Sequence, residues 1–445
     1  MLSIQRSTRT VSCETAAVAN IGIGSIVMDG NKRGPQHGSL RRKAFAMKAD
    51  KAVNIEDLRR MAKRRLPRLC FDFIEGGLED ELGLERNVRA FDRHQLVPRY
   101  LVDVSRTDQR ATLFGRSYAQ PFGIAPTGLA GLFRRGGDLM LAEAARAADI
   151  PFIMSGASTG SIEAAAKLAP EHAWYQLYGA RDMKISEDQV KRARDAGMST
   201  LVHTVDVPVN SKRERNIRNG FVRPYKISLS MVIDGLLHPA WLIEYLRHGG
   251  MPTFDNWVAY APPGAAPEQV ADLLGAQTPS TQTWRELEAY RRLWPRQLVI
   301  KGIMHPDDAR RAADLGVDGI MVSNHGGRQL DRAPAPLEML PAVKAAVGDR
   351  VALMLDSGIR RGSDIVIARC LGAQFVFVGR ATLYGAAVGG LAGATRAIDI
   401  LRDEIQRVLM QMGCPSFDQL GPHWLMSAIG PAAPAARPDR QYAAD

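Results

Sequence analysis

Between residues 121 and 380, short apolar, β-branched runs alternate with stretches in which apolar residues recur at helical spacing. The runs are 121–128, 151–157, 174–178, 200–207, 297–303, 319–325, 352–358 and 375–380. Strands that alternate with helices predict a parallel sheet, and eight of them predict a closed (β/α)8 TIM barrel. The intervening helices are plainest at 138–148 and 363–370, and 383–412 reads as one helical stretch after the last strand. Polar residues stand at the carboxyl end of nearly every run, where such barrels keep their sites. Ahead of the barrel, Asn54 can cap a helix carrying Ile55, Leu58, Met61 and Ala62 on one face. Pro67 then opens a short helix, 69–74, which Gly76-Gly77 ends.

Two regions depart from this rhythm. Residues 209–296, after the fourth strand, form an excursion too long for an ordinary βα connection and should contain helices of their own and a lid. Within it, 227–248 is apolar with few charges, including Leu236, Leu237, Trp241, Leu242, Ile243 and Leu246. That stretch is either a pair of amphipathic helices packed on the barrel or a patch that touches a membrane surface, and Asp234, Glu244 and Arg247 argue against deep burial without partners. Residues 1–46 and 430–445 lack sustained periodicity and are expected to be a disordered leader and tail around a domain spanning 47–429, with Met47 an alternative start.

Composition narrows the class. Hydrophobic content of 46% with 24% charged residues is that of a globular protein with a sizeable core. The net charge of +11 is partly local, because 1–46 carry seven Lys/Arg against two Asp/Glu, and no nucleic-acid motif accompanies it. No run is long enough to span a bilayer, and the amino terminus lacks the apolar core of a secretory signal. Cys13, Cys70, Cys370 and Cys414 are widely spaced, which suggests reduced thiols in a cytoplasmic protein and no metal site.

Candidate chemistry concentrates in Ser323-Asn324-His325-Gly326-Gly327-Arg328-Gln329-Leu330-Asp331, directly after the sixth run. His325 is a candidate base, Arg328 a candidate anion clamp, and the glycines allow a tight turn against a flat ligand. Lys301 ends a buried strand, which is costly unless it meets an anionic ligand or an ion-pair partner within the barrel. Asp356-Ser357-Gly358-Ile359-Arg360 and Gly379-Arg380 follow the seventh and eighth strands, where barrels bind phosphate.

The nine-residue string resembles the signature of the FMN-dependent 2-hydroxy acid oxidising family, and the likeness extends over roughly residues 52–425. The resemblance implies FMN as cofactor and an L-2-hydroxy acid, lactate- or mandelate-like, as substrate, with electrons passed on to a quinone, a cytochrome or oxygen. His325 would take the substrate proton with Asp206 hydrogen-bonded to its ring, Arg328 and Arg213 would bind the carboxylate, and Tyr178 would contact the substrate oxygen. Pro126, Thr127, Gly128, Ser155, Gln176, Thr204 and Ser323 match positions that hydrogen-bond the flavin ring, Lys301 would face its N1, and the loops ending in Arg360 and Arg380 would hold its phosphate. One position departs: Phe73 stands where most members place a tyrosine that reaches the carboxylate, which raises the alternative of redirected chemistry on a modified biosynthetic substrate. The segments 128–131 and 356–364 look more like the family's mandelate dehydrogenases than its glycolate oxidases, and Ala157 leaves room where plant-type oxidases carry Trp. Gly128, where several oxidases have Ala, implies slow reaction with oxygen. The mandelate dehydrogenase likeness also implies peripheral attachment at the inner membrane through 227–248, and members are often tetramers.

Overall fold

The computed structural model describes residues 49–221, 227–278 and 280–427; the expected leader and tail lie outside the described residues. Helix α1 (Ile55–Arg65) starts at Asn54, whose side chain accepts the Asp57 N–H, and α2 (Arg68–Glu75) and α3 (Leu82–Arg89) follow. Twelve strands come next among the described residues: β1 (His94–Leu96), β2 (Ala111–Leu113), β3 (Arg116–Tyr118), β4 (Phe122–Ile124), β5 (Phe152–Met154), β6 (Ala173–Tyr178), β7 (Thr200–Thr204), β8 (Gln297–Ile303), β9 (Gly319–Val322), β10 (Ala352–Leu355), β11 (Phe375–Val378) and β12 (Leu425–Ser427). The eight expected runs are β4 to β11, all parallel, and β11 closes the barrel on β4 with Val376 opposite Phe122 and Val378 opposite Ile124. β4, β5, β7, β9 and β11 are buried at every residue, because the barrel core covers one face and the helical ring the other.

Three features were not foreseen. The β2–β3 hairpin lies ahead of the barrel, and β1 pairs antiparallel with β12 from the far end of the chain. The single stretch expected over 383–412 is two helices, Arg380–Gly389 and Leu391–Met412, separated at Gly390 in the left-handed region (φ 61°). The excursion holds α4 (Glu214–Arg218), then α5 (Leu229–Leu237) and α6 (Pro239–Arg247), which form a helical hairpin. That hairpin joins both expectations: it is packed on the barrel, yet Ile227, Leu229, Leu236, Leu237 and Leu246 are exposed. Its polar side faces inward. Asp234 accepts the Arg68 N–H (2.6 Å), Glu244 accepts from Arg65 (2.6 Å), and Trp241 Nε1 donates to the Leu132 carbonyl (2.8 Å). Among the described residues, no helix is long and apolar enough to cross a membrane.

Candidate active site

Three consecutive residues after β9, His325, Gly326 and Gly327, have positive φ (58°, 68° and 74°). Two glycines make that path accessible, and a Cβ at Gly327 would sit 2.7 Å from the Leu84 nitrogen on α3. His325 carries the strain of a left-handed side-chain residue, a conformation that persists only where the surroundings over-determine it. Its nitrogen donates to Ser323 Oγ (3.1 Å), and Ser357 Oγ accepts the Gly326 N–H (3.0 Å). The path turns the imidazole towards Asp206, whose Oδ1 lies 2.9 Å from Nδ1. Asp206 reaches that position because β8 bulges at Gly302 (φ 105°), where a Cβ would come within 2.6 Å of the Asp206 Cβ.

With Nδ1–H donated to a carboxylate, Nε2 is left as the acceptor, and Tyr178 Oη stands 3.3 Å away as its donor. Burial lowers the His325 pKa despite the opposing pull of Asp206, so the ring is a neutral base at neutral pH. Burial would raise the Asp206 carboxyl, but the His325 ring and Lys301 outweigh it and hold it ionised. Lys301 is likewise desolvated, yet Asp356 and Asp206 keep it a cation. Its Nζ is 3.0 Å from Asp356 Oδ2 and donates to Ser323 Oγ at 2.7 Å.

Guanidinium groups converge on the other side of His325. Arg328 donates to the carbonyls of Phe73 (2.8 Å) and Gly76 (2.6 Å), and Arg380 donates to those of Ile74 (2.9 Å), Gly326 (3.0 Å) and Gly76 (3.2 Å). Both are thus oriented by the carboxyl end of α2, the negative end of its dipole. The Phe73 ring lies 5.1 Å from the Arg328 guanidinium and 5.9 Å from that of Arg213. Among the described residues neither Arg213 nor Arg328 forms an ion pair with a carboxylate, and burial pulls the Arg213 pKa down to about 10. Arg328 is lowered well below its usual range by burial and by Arg213 and Arg380. Desolvated cations that repel one another call for an anion between them.

These groups line a cavity of about 250 Å³ with Pro126, Thr127, Gly128, Thr204, Ser357, Gly358, Ile359, Arg360 and Gly379. Ser155, Gln176 and Ser323 stand behind its wall: Ser155 Oγ donates to Gln176 Oε1 (3.2 Å), and Ser323 positions Lys301 and His325. Gln176 Nε2 and Thr204 Oγ1 are buried without hydrogen-bond partners, as polar groups awaiting a planar heterocycle would be. The side chain of Asp356, at the start of the 356–360 loop, faces Lys301. It lines the cavity and serves as the counter-ion of Lys301, with Ser357 Oγ donating to it at 2.8 Å. The cavity therefore fits a flavin nucleotide: a flat slot, unpaired ring-binding groups, and guanidiniums at the end where β10 and β11 finish.

The profile of the FMN-dependent dehydrogenases matches residues 62–427. This chain belongs to that family. It is 42% identical over 374 residues to (S)-mandelate dehydrogenase of Pseudomonas putida, covering 84% of this chain and 94% of that one. A putative L-lactate dehydrogenase of Mycobacterium tuberculosis is 39% identical over 402 residues, 89% of this chain and 94% of that protein. The crystal structure of the monotopic membrane protein (S)-mandelate dehydrogenase superposes with a TM-score of 0.82 at 42% identity, covering 85% of this chain and all of that one. This FMN-dependent dehydrogenase uses a flavin, and the residues that sequence reasoning missed are those supporting the flavin-facing groups. The α2 carbonyls that hold Arg328 and Arg380 are anonymous in a sequence. Asn87 on α3 exchanges two hydrogen bonds with Asn324 (2.8 and 2.7 Å), a pairing no local pattern could signal.

Proposed function

We propose that this dehydrogenase oxidises an L-2-hydroxy acid with an apolar or aromatic side chain to the 2-oxo acid, with His325 as the base. The observation that carries the reading is the Asp206–His325–Tyr178 chain of contacts beside two partly buried guanidiniums, Arg213 and Arg328, that have no carboxylate partner among the described residues. Arg328 and Arg213 hold the substrate carboxylate and neutralise each other's repulsion through it. His325 Nε2 removes a substrate proton, and ionised Asp206 stabilises the imidazolium that results. Tyr178, kept protonated by burial, donates to the substrate oxygen. Bound FMN would accept the two electrons and the second hydrogen released as the alcohol becomes a ketone. Lys301 would offset negative charge on the flavin ring, and Arg360 and Arg380 would hold its phosphate.

The electron acceptor in this reading is a membrane quinone or another carrier rather than oxygen. Gly128 leaves its side of the cavity without a side chain next to Ala157. The α5–α6 hairpin supports a cytoplasmic enzyme held peripherally at the inner membrane, since its aliphatic side chains face outward over two turns of helix. Self-association to a tetramer is supported by the exposed apolar residues Tyr100, Leu101, Val102 and Met410 near the point where Arg99 N–H meets the Met412 carbonyl. An anaerobic titration tests the chemistry: the purified protein should carry FMN, and a panel of L-2-hydroxy acids should bleach it. FMN that none of them bleaches would favour the alternative on which Phe73 bears, a redirected reaction on a modified biosynthetic substrate.

A further inference from the structure

A second, wider cleft of about 690 Å³ opens from the catalytic groups, sharing Phe73, Ala157, Tyr178, Arg213 and His325 with the flavin cavity and lined beyond them by residues that include Phe221, Leu274 and Asn216. Space of that order holds drug-sized ligands, typically about 300–1,000 Å³, and far exceeds what the methyl group of lactate needs. Part of the lining is apolar, where Phe221 meets Phe73 edge-on at 5.0 Å, and Asn210, Ser211, Thr278 and Gln329 add neutral polar groups to it. Asn216 is 6% exposed, and its Oδ1 is buried with no hydrogen-bond partner. It lies three residues beyond Arg213, which is the N-cap of α4, so Asn216 stands in the first turn of the helix that Arg213 opens. The Asn216 carbonyl accepts the Phe221 N–H (2.8 Å), which ties this turn to the aromatic wall. Apart from Arg213 and His325, the charged side chain on the lining is the exposed Asp272, which disfavours a second carboxylate in the cleft.

We infer that the cleft selects 2-hydroxy acids whose side chain is longer than a single ring attached to the hydroxylated carbon, apolar along its length, and terminated by a neutral hydroxyl that pairs with Asn216. A hydroxyl both donates and accepts, so it complements either end of the amide. The inference rests on the proposed reaction and adds the substrate class to it. Anaerobic stopped-flow flavin reduction with L-3-phenyllactate and L-3-(4-hydroxyphenyl)lactate tests it, because the pair differs only in the distal hydroxyl. The wild-type protein should favour the hydroxylated acid by about tenfold in reduction rate over Kd, and Asn216→Leu should bring that ratio to about one. Equal reduction by the two acids in the wild type overturns the inference while leaving the proposed reaction standing. A preference that survives Asn216→Leu also overturns it. Bound FMN that neither acid, lactate nor mandelate reduces removes the proposed reaction and the inference with it. Should Asn216→Leu fail to fold, the wild-type ratio still decides.

Discussion

The mouth of the barrel and the α5–α6 hairpin break the usual partition of polar and apolar groups in opposite senses. At the mouth, Lys301 is buried, Arg213, Arg328 and the Asp206–His325 pair are partly withdrawn from water, and among the described residues neither of these guanidiniums has a carboxylate partner. On the hairpin, Leu236, Leu237 and Leu246 are 63%, 72% and 65% exposed, while Asp234 and Glu244 turn inward to bind α2, Arg65 and Arg134. Each arrangement is costly in isolation and is relieved by a partner of matching chemistry: anions for the mouth, an apolar phase for the hairpin. The two regions are also joined, since Asp234 accepts the first N–H of α2 and the last carbonyls of α2 hold Arg328 and Arg380.

Substitutions separate the two. The largest effect is expected at the mouth, where His325→Ala should retain FMN and lose flavin reduction by about 10²- to 10⁴-fold or more; stopped-flow reduction near the wild-type rate would end the base assignment. The same base sets the acid limb of activity. Because burial depresses the His325 pKa, kcat/KM should rise to its plateau with an apparent pKa below 6.5, and a limb centred above 6.5 would contradict a desolvated ring. Arg380→Glu reverses a charge at the proposed phosphate site and would lose charge-assisted hydrogen bonds of about 1.5–3 kcal/mol each, so FMN should be lost at micromolar concentration, roughly a thousandfold weakening. Stoichiometric FMN in that purified variant argues against the phosphate assignment.

On the hairpin, replacing Leu236, Leu237 and Leu246 together by Ser removes about 1 kcal/mol of burial per residue at these exposures, or roughly a hundredfold in partition to anionic vesicles. Vesicle sedimentation should show that loss with flavin reduction by substrate unaltered, and undiminished sedimentation would remove the membrane role. The smallest effect belongs to the position between the regions. Phe73→Tyr restores a hydroxyl beside Arg328 and Arg213 and should raise kcat/KM for lactate by about tenfold, with less gain for a bulky aryl hydroxy acid that packs on the ring. A uniform loss across substrates would instead mean that Phe73 serves a substrate without a free carboxylate.

Local pattern was enough for much of this molecule. A buried parallel strand is a short β-branched run whatever surrounds it, so the runs that became β4 to β11 were countable, and Asn54 capped its helix as a side chain with a nearby acceptor oxygen does. The string from Ser323 to Asp331 announced a base, a clamp and a tight turn, because only glycine follows His325 along a left-handed path without penalty.

What needed the folded chain was every relation between distant segments. Periodicity marked 227–248 as amphipathic but carries no sign, so only packing decided that its carboxylates face α1 and α2 and its leucines face outward. Lys301 was costly under any reading, and the placement of Asp356 55 residues later supplied its counter-ion. The orienting carbonyls of Phe73 and Gly76 lie 255 and 252 residues from Arg328, and Asn216 became a selector only when its turn of helix was laid beside Phe221 over an open cleft. A sequence determines propensity and chemistry residue by residue; which groups meet depends on closure of the barrel, a property of the whole chain.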